Sequence, residues 1–476
     1  MTRKKVEVYF VKQRYCHQKK FKMEFKDFVK HSNLDYKEYQ GKGVEWCIER
    51  ENSNDYCRGG IIADEMGLGK TIMMIGTMMK NFKMPSLIVL PVFLVEQWRE
   101  QILKTTGHSV LVYHGQIKKI LTKEMLAGIP VILTTYGTVL SDAQKYNVLS
   151  EVPWSRVICD EAHHLRNRKA KVTEAISNLK TEITWLISGT PIQNHINDLY
   201  SLFEVLKISN KVFMKTENLK DIISKIVLKR TKKEVGLKLP ELSIQRINTQ
   251  WKSPCEKNLS EEIHDKLSFS LLRQKPIERG MTLAMMTYAR MICVYPELIK
   301  KHMDKLEGLG YVSKSSTSGV SYNSKMDNVV DVIVSRKGNG SRKILFTNFK
   351  GEIDYLVDKL TANGLRTDFI DGRVSKGKRA AILVADLDVL ILQIKTGNEG
   401  LNLQKYNEVY FVTPNWNPKV EEQAIARCHR LGQKKKVSVF RFVMGSFDDQ
   451  LRTKNIEMYS EIIQEEKREI ESKILA

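Results

Sequence analysis

Short apolar runs alternate with helical patterns through most of this chain, and that rhythm predicts its architecture. Between residues 34 and 206 the runs GIIA (60–63), LIVL (87–90), VLVY (110–113), VILTT (131–135), VIC (157–159) and TWLIS (184–188) have the length and β-branched character of strands, and 96–103 has helical spacing. Runs that are apolar throughout, rather than alternating, predict strands buried on both faces of a parallel sheet covered by helices. Residues 207–325 break the rhythm: helical stretches at 219–228 and 263–272 dominate, and the Gly- and Ser-rich 308–324 reads as a linker. Alternation resumes with KILFT (343–347), VLILQ (389–393), VYFV (409–412) and VSVFRFV (437–443), and 448–474 reads as a charged amphipathic helix. The pattern predicts an α/β protein of two tandem parallel-sheet lobes with a helical insertion between them. Its expected organisation is an N-terminal arm (1–33), lobe one (34–206), an insertion and linker (207–325), lobe two (326–447) and a C-terminal helix (448–476).

Composition adds limits. No window of eighteen residues is free of charge, so no membrane span is expected, and the start MTRKKVEV lacks the apolar stretch of a secretory signal. Seven cysteines stand at 16, 47, 57, 159, 255, 293 and 428 without a CxxC pair, which speaks for a reducing compartment and against a zinc module or disulfide frame. An intracellular place, nuclear or cytoplasmic, is the expectation. Lys and Arg number 77 against 55 Asp and Glu, a formal charge of +22. An excess of that size favours a polyanionic partner, nucleic acid before anionic membrane.

Two segments carry the chemistry. DEMGLGKT (64–71) follows the run at 60–63 and enters IMMI at helical spacing. Strand, glycine loop and helix N-terminus together cradle phosphates, because unpaired backbone N–H groups and the helix dipole point at the anion. Asp64, Glu65, Met66, Gly67, Leu68 and Gly69 form the loop. Lys70 neutralises the β/γ-phosphates and the Thr71 hydroxyl ligates Mg²⁺. Asp64 stands where the common P-loop pattern has Gly. DEAH (160–163) follows the run at 157–159, so Asp160 is expected to hold the metal and Glu161 to polarise the attacking water. The chain reads as a nucleoside-triphosphate hydrolase using ATP and Mg²⁺.

The later motifs narrow the class. LISGTPIQN (186–194), KTGNEGLNLQ (395–404), PNWNP (414–418) and QAIARCHRLGQ (423–433) follow in order. With the P-loop and DEAH they resemble the SWI/SNF-type ATPases, DNA translocases of helicase superfamily two. LKRTKKEV (228–235) resembles that family's basic brace, ARMIC (289–293) with Pro296 the helix before its second lobe, and Asp371-Gly372 with Arg379 a turn of that lobe. Asn398-Glu399 and Val294-Tyr295 depart from its usual residues. The LGQ ending differs from the arginine–glycine pattern of DEAD and DEAH RNA helicases.

The resemblance implies two RecA-like lobes and a set of roles. Gln40, after Tyr39, is implied to select adenine. Arg427 and Arg430, one turn apart on a helix over 421–430, are implied to be arginine fingers. His163, Thr190, Gln193, Trp416 and Gln423 are implied to couple hydrolysis to DNA, core packing being the other reading of Trp416. Thr134, Thr135 and Tyr136 in lobe one, and Asn348, Lys395, Thr396 and Asn402 in lobe two, are candidate DNA-backbone contacts, with ordinary loop polarity as the bland alternative. Lys434-Lys435-Lys436 reads as a DNA-facing patch or a nuclear signal. The expected partner is double-stranded DNA, with a nucleosome, polymerase or other DNA-bound protein as the body displaced. A strand-separating DNA or RNA helicase and an ATP-regulated scaffold are the competing readings.

Overall fold

Every apolar run expected as a strand in the first lobe pairs in parallel with its neighbours. The computed structural model describes residues 24–193, 195–267, 279–313, 323–394, 401–447 and 455–475. Strands β1 (Gly59–Ile62), β2 (Ser86–Leu90), β3 (Leu111–Val112), β4 (Val131–Thr135), β5 (Arg156–Asp160), β6 (Thr184–Ile187) and β7 (Val227–Leu228) form one sheet in the order β3-β4-β2-β5-β6-β1-β7. Ile88 pairs with both Leu133 and Ile158, and Trp185 with both Ile158 and Gly60. Successive side chains on a strand point to opposite faces, and both faces are covered. Ile61, Leu87, Val89, Val157 and Leu186 enter one core. Ile62, Ile88, Leu90, Ile158 and Trp185 enter the other, against helices Glu38–Asn52, Lys70–Lys80 and Val95–Thr106. Helix Phe25–His31, inside the expected peripheral arm, buries Phe25, Phe28 and Val29 in that second core.

Two compact units emerge, Met1–Lys238 with Ile470–Ala476, and Leu239–Glu469. The boundary falls inside the stretch expected to be an insertion. The expected helix at 219–228 is Thr216–Ile226, and its last two residues form β7 beside β1.

The second unit holds β8 (Leu242–Thr249), β9 (Lys343–Thr347), β10 (Thr367–Ile370), β11 (Val389–Gln393), β12 (Glu408–Phe411) and β13 (Val437–Met444), all parallel, in the order β10-β11-β9-β12-β13-β8. β8, unforeseen from the pattern, pairs with β13 over its whole length, yet its residues LSIQRINT are mostly exposed and polar. Helices Pro254–Asp265, Arg279–Val294 and Met303–Gly308 pack with Met444 and Ile456 in a side cluster of this same unit. The expected helix at 263–272 is Pro254–Asp265 as far as the described residues reach.

Charges are taken inside in pairs. Arg156 and Glu51 are fully buried, with Nε and one terminal nitrogen of the guanidinium each donating to a carboxylate oxygen at 2.6 Å. Trp185 Nε1 and Asn81 Nδ2 donate to the same carboxylate at 2.9 and 2.6 Å. Removing one member of such a pair strands the other charge. Glu51→Ala is therefore expected to destabilise the first unit by about 3–5 kcal/mol, read as a lower urea midpoint in its unfolding transition.

In the second unit Glu352, also fully buried, accepts the Phe349 backbone N–H at 2.9 Å and starts helix Lys350–Ala362. Burial raises its carboxyl to about 7. The folded state then holds a proton that the unfolded chain gives up near its ordinary value. The contribution to stability is full below that value and is lost as pH rises toward 7. Glu352→Gln, which keeps an acceptor oxygen, is expected to flatten the fall in unfolding midpoint between pH 4.5 and 7; an unaltered pH dependence sinks the assignment.

Candidate active site

Parallel pairing delivers every strand's C-terminal loop to one edge of the sheet. Across the first unit that edge carries, in spatial order, Thr135-Tyr136 after β4, the segment 91–98 after β2, Asp160-Glu161 at β5, Ser188 to Gln193 after β6, the loop 63–69 after β1, and 229–232 after β7. β6 lies between β1 and β5, so the loop after it sits between the glycine loop and the acidic turn.

The glycine loop is held from two sides. Gly67 and Gly69 have φ of 93° and 83°, a left-handed conformation that favours glycine. A Cβ on Gly69 would lie 2.4 Å from Gln40 Nε2, which itself donates to the Leu68 carbonyl at 3.0 Å. Gln40 thus pins the loop. Asp64 is fully buried and its carboxylate faces Arg230, which donates from Nε at 3.0 Å and from a terminal nitrogen at 2.5 Å. The same guanidinium reaches the Tyr39 carbonyl at 2.5 Å. Glu65 accepts from the Lys232 backbone and pairs with its ammonium at 3.0 Å. The side chains of Asp64 and Glu65 therefore serve the loop's shape, and the surfaces left for phosphates are backbone N–H groups, Lys70 and Thr71. Lys70 Nζ donates to the Asp64 carbonyl at 2.7 Å. A cavity of about 570 Å³ is lined by Tyr36, Tyr39, Lys42, Arg230, Glu234 and Val235 among others, and shares with the loop only its partner Arg230. Its size is that of a small-molecule site.

The acidic turn is equally constrained. Asp160 ends β5, largely buried, and accepts Trp98 Nε1 and the Glu161 backbone N–H at 2.8 Å each. Burial and the Glu161 carboxylate push its acid up to about 6, against the pull of those two donors and Lys70. Glu161 adopts φ 51° and ψ 48°, a left-handed conformation costing a residue with a Cβ of order 1–3 kcal/mol. That turn swings its carboxylate away from the strand direction, to 3.3 Å from His163 Nδ1. The oxygens of Thr71 and Asp160 are the hard donors that Mg²⁺ takes, and a divalent cation offsets the charge that burial penalises at Asp160.

A polar relay joins the acidic turn to the loop after β6. Gln193 donates to Thr190 Oγ1 at 3.3 Å, accepts from Arg166, and its backbone N–H meets Asp198 at 2.9 Å. Gly189 approaches so closely that a Cβ there would stand 3.2 Å from Met66 and 3.5 Å from Lys70 Nζ. His163 thus lies beside Glu161, and Thr190 and Gln193 belong to the loop whose Gly189 lies beside Lys70.

Three expected DNA contacts in this unit turn inward instead. Thr134 is fully buried and donates to the Tyr113 carbonyl at 2.9 Å. Thr135 Oγ1 caps helix Tyr136–Lys145 by accepting Thr138 N–H at 3.1 Å, and the Tyr136 hydroxyl donates to the Asp160 carbonyl at 2.7 Å. Each polar atom is engaged inside the lobe, which leaves none to meet a phosphate in this structure.

In the second unit the helix carrying the candidate arginines is Pro418–Cys428, which begins three residues before the expected start and ends two residues before the expected end, so Arg427 lies in its last turn and Arg430 beyond it. Leu403 N–H donates to the Arg427 carbonyl, which places Arg427 beside the segment leading into β12, and Gln433 N–H donates to the Arg430 carbonyl in the turn before β13. Arg430 is partly desolvated, which lowers its pKa. Asn348 follows β9 at the C-terminal edge, whereas Asn402 belongs to the segment entering β12 from the opposite edge, so these two are not brought together. Lys395 and Thr396 lie outside the described residues. Gln423 is buried in the helix. Trp416 packs edge-on to Tyr459 of helix Ile456–Leu475, with ring centroids 6.0 Å apart, the packing role that was its other reading.

Two contributors escaped the sequence reading. Arg230 stood inside a segment already marked as a basic brace, but its partner, Asp64, lies 166 residues away. Trp98 had no assigned role; the signal was an indole beginning an amphipathic helix just after a buried strand.

A family model of the SNF2-related domain matches residues 39–298, and one of the helicase conserved C-terminal domain matches 324–432. Chromodomain-helicase-DNA-binding protein 6 of Rattus norvegicus is 28% identical over 89% of this chain, which spans 17% of that protein's length. Chromatin structure-remodeling complex protein SYD of Arabidopsis thaliana is 28% identical over 87% of the chain, which spans 13% of its length. The solved SWI2/SNF2 ATPase core of Sulfolobus solfataricus in complex with dsDNA is 24% identical, covers 92% of this chain and 96% of its own, and has a TM-score of 0.41. With a nucleotide-binding edge in the first unit, a second parallel α/β unit, and the SNF2-related match over more than half its length, this chain belongs to the SNF2-related family of helicase-like ATPases.

Proposed function

We propose that the chain is an ATP-dependent double-stranded DNA translocase, a DNA-stimulated ATPase that displaces or remodels DNA-bound proteins. The observation that carries this reading is the single sheet edge on which Lys70, Asp160, Glu161, Thr190 and Gln193 converge. Phosphoryl transfer needs positioned cations and an oriented nucleophile more than covalent help. Thr71 and Asp160 would hold Mg²⁺, which neutralises charge on the phosphates when bound. Lys70 and the loop N–H groups hold the β/γ-phosphates, Glu161 orients water, and Arg427 and Arg430 meet the charge that develops on the γ-phosphate. The cavity beside Tyr39 and Arg230 suits the base, with Gln40 acting by pinning the loop rather than standing in that cavity's wall.

Nucleic acid is the partner favoured by the +22 charge and by the names of the relatives, a chromodomain-helicase-DNA-binding protein and a chromatin structure-remodeling protein. Duplex DNA is preferred to a separated strand because family membership lies with the SNF2-related group. Asn348, half-buried at the C-terminal edge of the second sheet, remains a candidate backbone contact, as separately do Lys395, Thr396 and Asn402. A nucleosome, a polymerase or another bound protein is the body to be moved. No described helix is long and apolar enough to cross a membrane. An intracellular place of action is the proposal.

Steady-state ATPase rates without nucleic acid, and with duplex DNA, single-stranded DNA and duplex RNA at matched low salt, test the assignment. Stimulation by duplex DNA above the other two is the expected result; preference for single strands or RNA promotes the strand-separating helicase. Glu161→Gln is expected to retain ATP binding while turnover falls by about 10²–10⁴. Undiminished hydrolysis in that variant removes Glu161 from its role.

A further inference from the structure

Two side chains from separate loops converge on the same aspartate. Trp98 lies in helix Val95–Thr106, after β2, and Tyr136 opens helix Tyr136–Lys145, after β4. Trp98 is 1% exposed and donates Nε1–H to Asp160 Oδ2 at 2.8 Å. Tyr136 is 7% exposed and donates its hydroxyl to the Asp160 backbone carbonyl at 2.7 Å. The other carboxylate oxygen, Oδ1, accepts the Glu161 N–H at 2.8 Å. Backbone and side chain of one residue are therefore both fixed by donors from neighbouring strands' loops.

A buried indole or phenol needs a partner for its polar atom, and any acceptor satisfies that need. Here both choose Asp160, at the end of β5. Each carboxylate oxygen accepts one hydrogen bond and keeps a second lone-pair direction for a cation or its water. Partners of this kind orient metal-ligating carboxylates, and their loss weakens metal binding without removing a ligand.

We infer that Trp98 and Tyr136 are positioning residues that hold Asp160 in the orientation its divalent cation requires. The inference rests on the proposed role of Asp160 as a metal ligand. It gives Tyr136 work at the nucleotide rather than on DNA. It also means that the segments following β2, beside β5, and β4, one strand further out, report to the metal site through one hydrogen bond each.

The test measures affinity for a fluorescent, non-hydrolysable ATP analogue in Mg²⁺ and in EDTA, with the full-length protein and its W98F, Y136F and D160N variants. W98F keeps a large apolar ring and Y136F loses a single oxygen. Melting curves establish that each variant is folded. The ratio of the EDTA to the Mg²⁺ dissociation constant is expected to fall roughly tenfold in W98F and Y136F, with metal-free affinity unchanged. If both variants keep the wild-type ratio, or lose affinity equally with and without metal, the positioning role is overturned. If D160N itself keeps the ratio, the ligand assignment of Asp160 fails, and this inference with it.

Discussion

The pairing of β6 between β1 and β5 sets the active edge. Parallel strands spaced by backbone hydrogen bonds put their C-terminal loops side by side, and the order of strands decides which loops are neighbours. With β6 in the middle, the loop carrying Gly189, Thr190 and Gln193 lies between the glycine loop, which Gly189 approaches, and the segment after β5, whose Arg166 bonds Gln193. No local sequence feature is needed to bring these segments together once the register is set. Gly189 fits closely there: a Cβ would press on the Met66 side chain, which would have to give by a few tenths of an ångström, and would just touch Lys70.

Throughout both units, buried charge is managed by pairing. Asp64 with Arg230 lies beside the loop, and Arg156 with Glu51 at the start of β5. Lys325 with Glu457 does the same inside the second unit, where the Met444 N–H adds a further bond to the carboxylate at 2.8 Å. Buried pairs of this kind contribute little net stability, since desolvation offsets the attraction, but they punish any rearrangement that separates them. Asp160 is the contrast. Burial and the neighbouring Glu161 carboxylate raise its acid to about 6, against the pull of the Trp98 and Glu161 donors and of Lys70.

Most strands of both lobes were legible because apolar runs buried on two faces need no tertiary information to be recognised; KILFT and VLILQ match β9 and β11 residue for residue, whereas the short β7 was read as helix and β10, TDFI, carried no apolar run. β8 was not, since an edge strand with one exposed face and residues such as Gln245 and Arg246 carries no apolar run. The reacting groups were legible for a related reason, as Lys70, Thr71, Asp160 and Glu161 sit in contiguous motifs. Roles that depend on which way a side chain turns were not. Thr134, Thr135 and Tyr136 stand at the expected strand end, yet strand alternation and helix capping direct their polar atoms inward. Arg430 was placed on a helix that stops two residues earlier, at Cys428.

The pair between Arg230 and Asp64 has a mechanical reading. Arg230 follows the last strand of the first unit, and the chain passes into the second only a few residues later, at Leu239. Lys232, two residues further on, is bonded to Glu65 of the same loop. The closing residues of the first unit are thus fastened at two points to the segment that follows β1, so neither can move without disturbing the glycine loop.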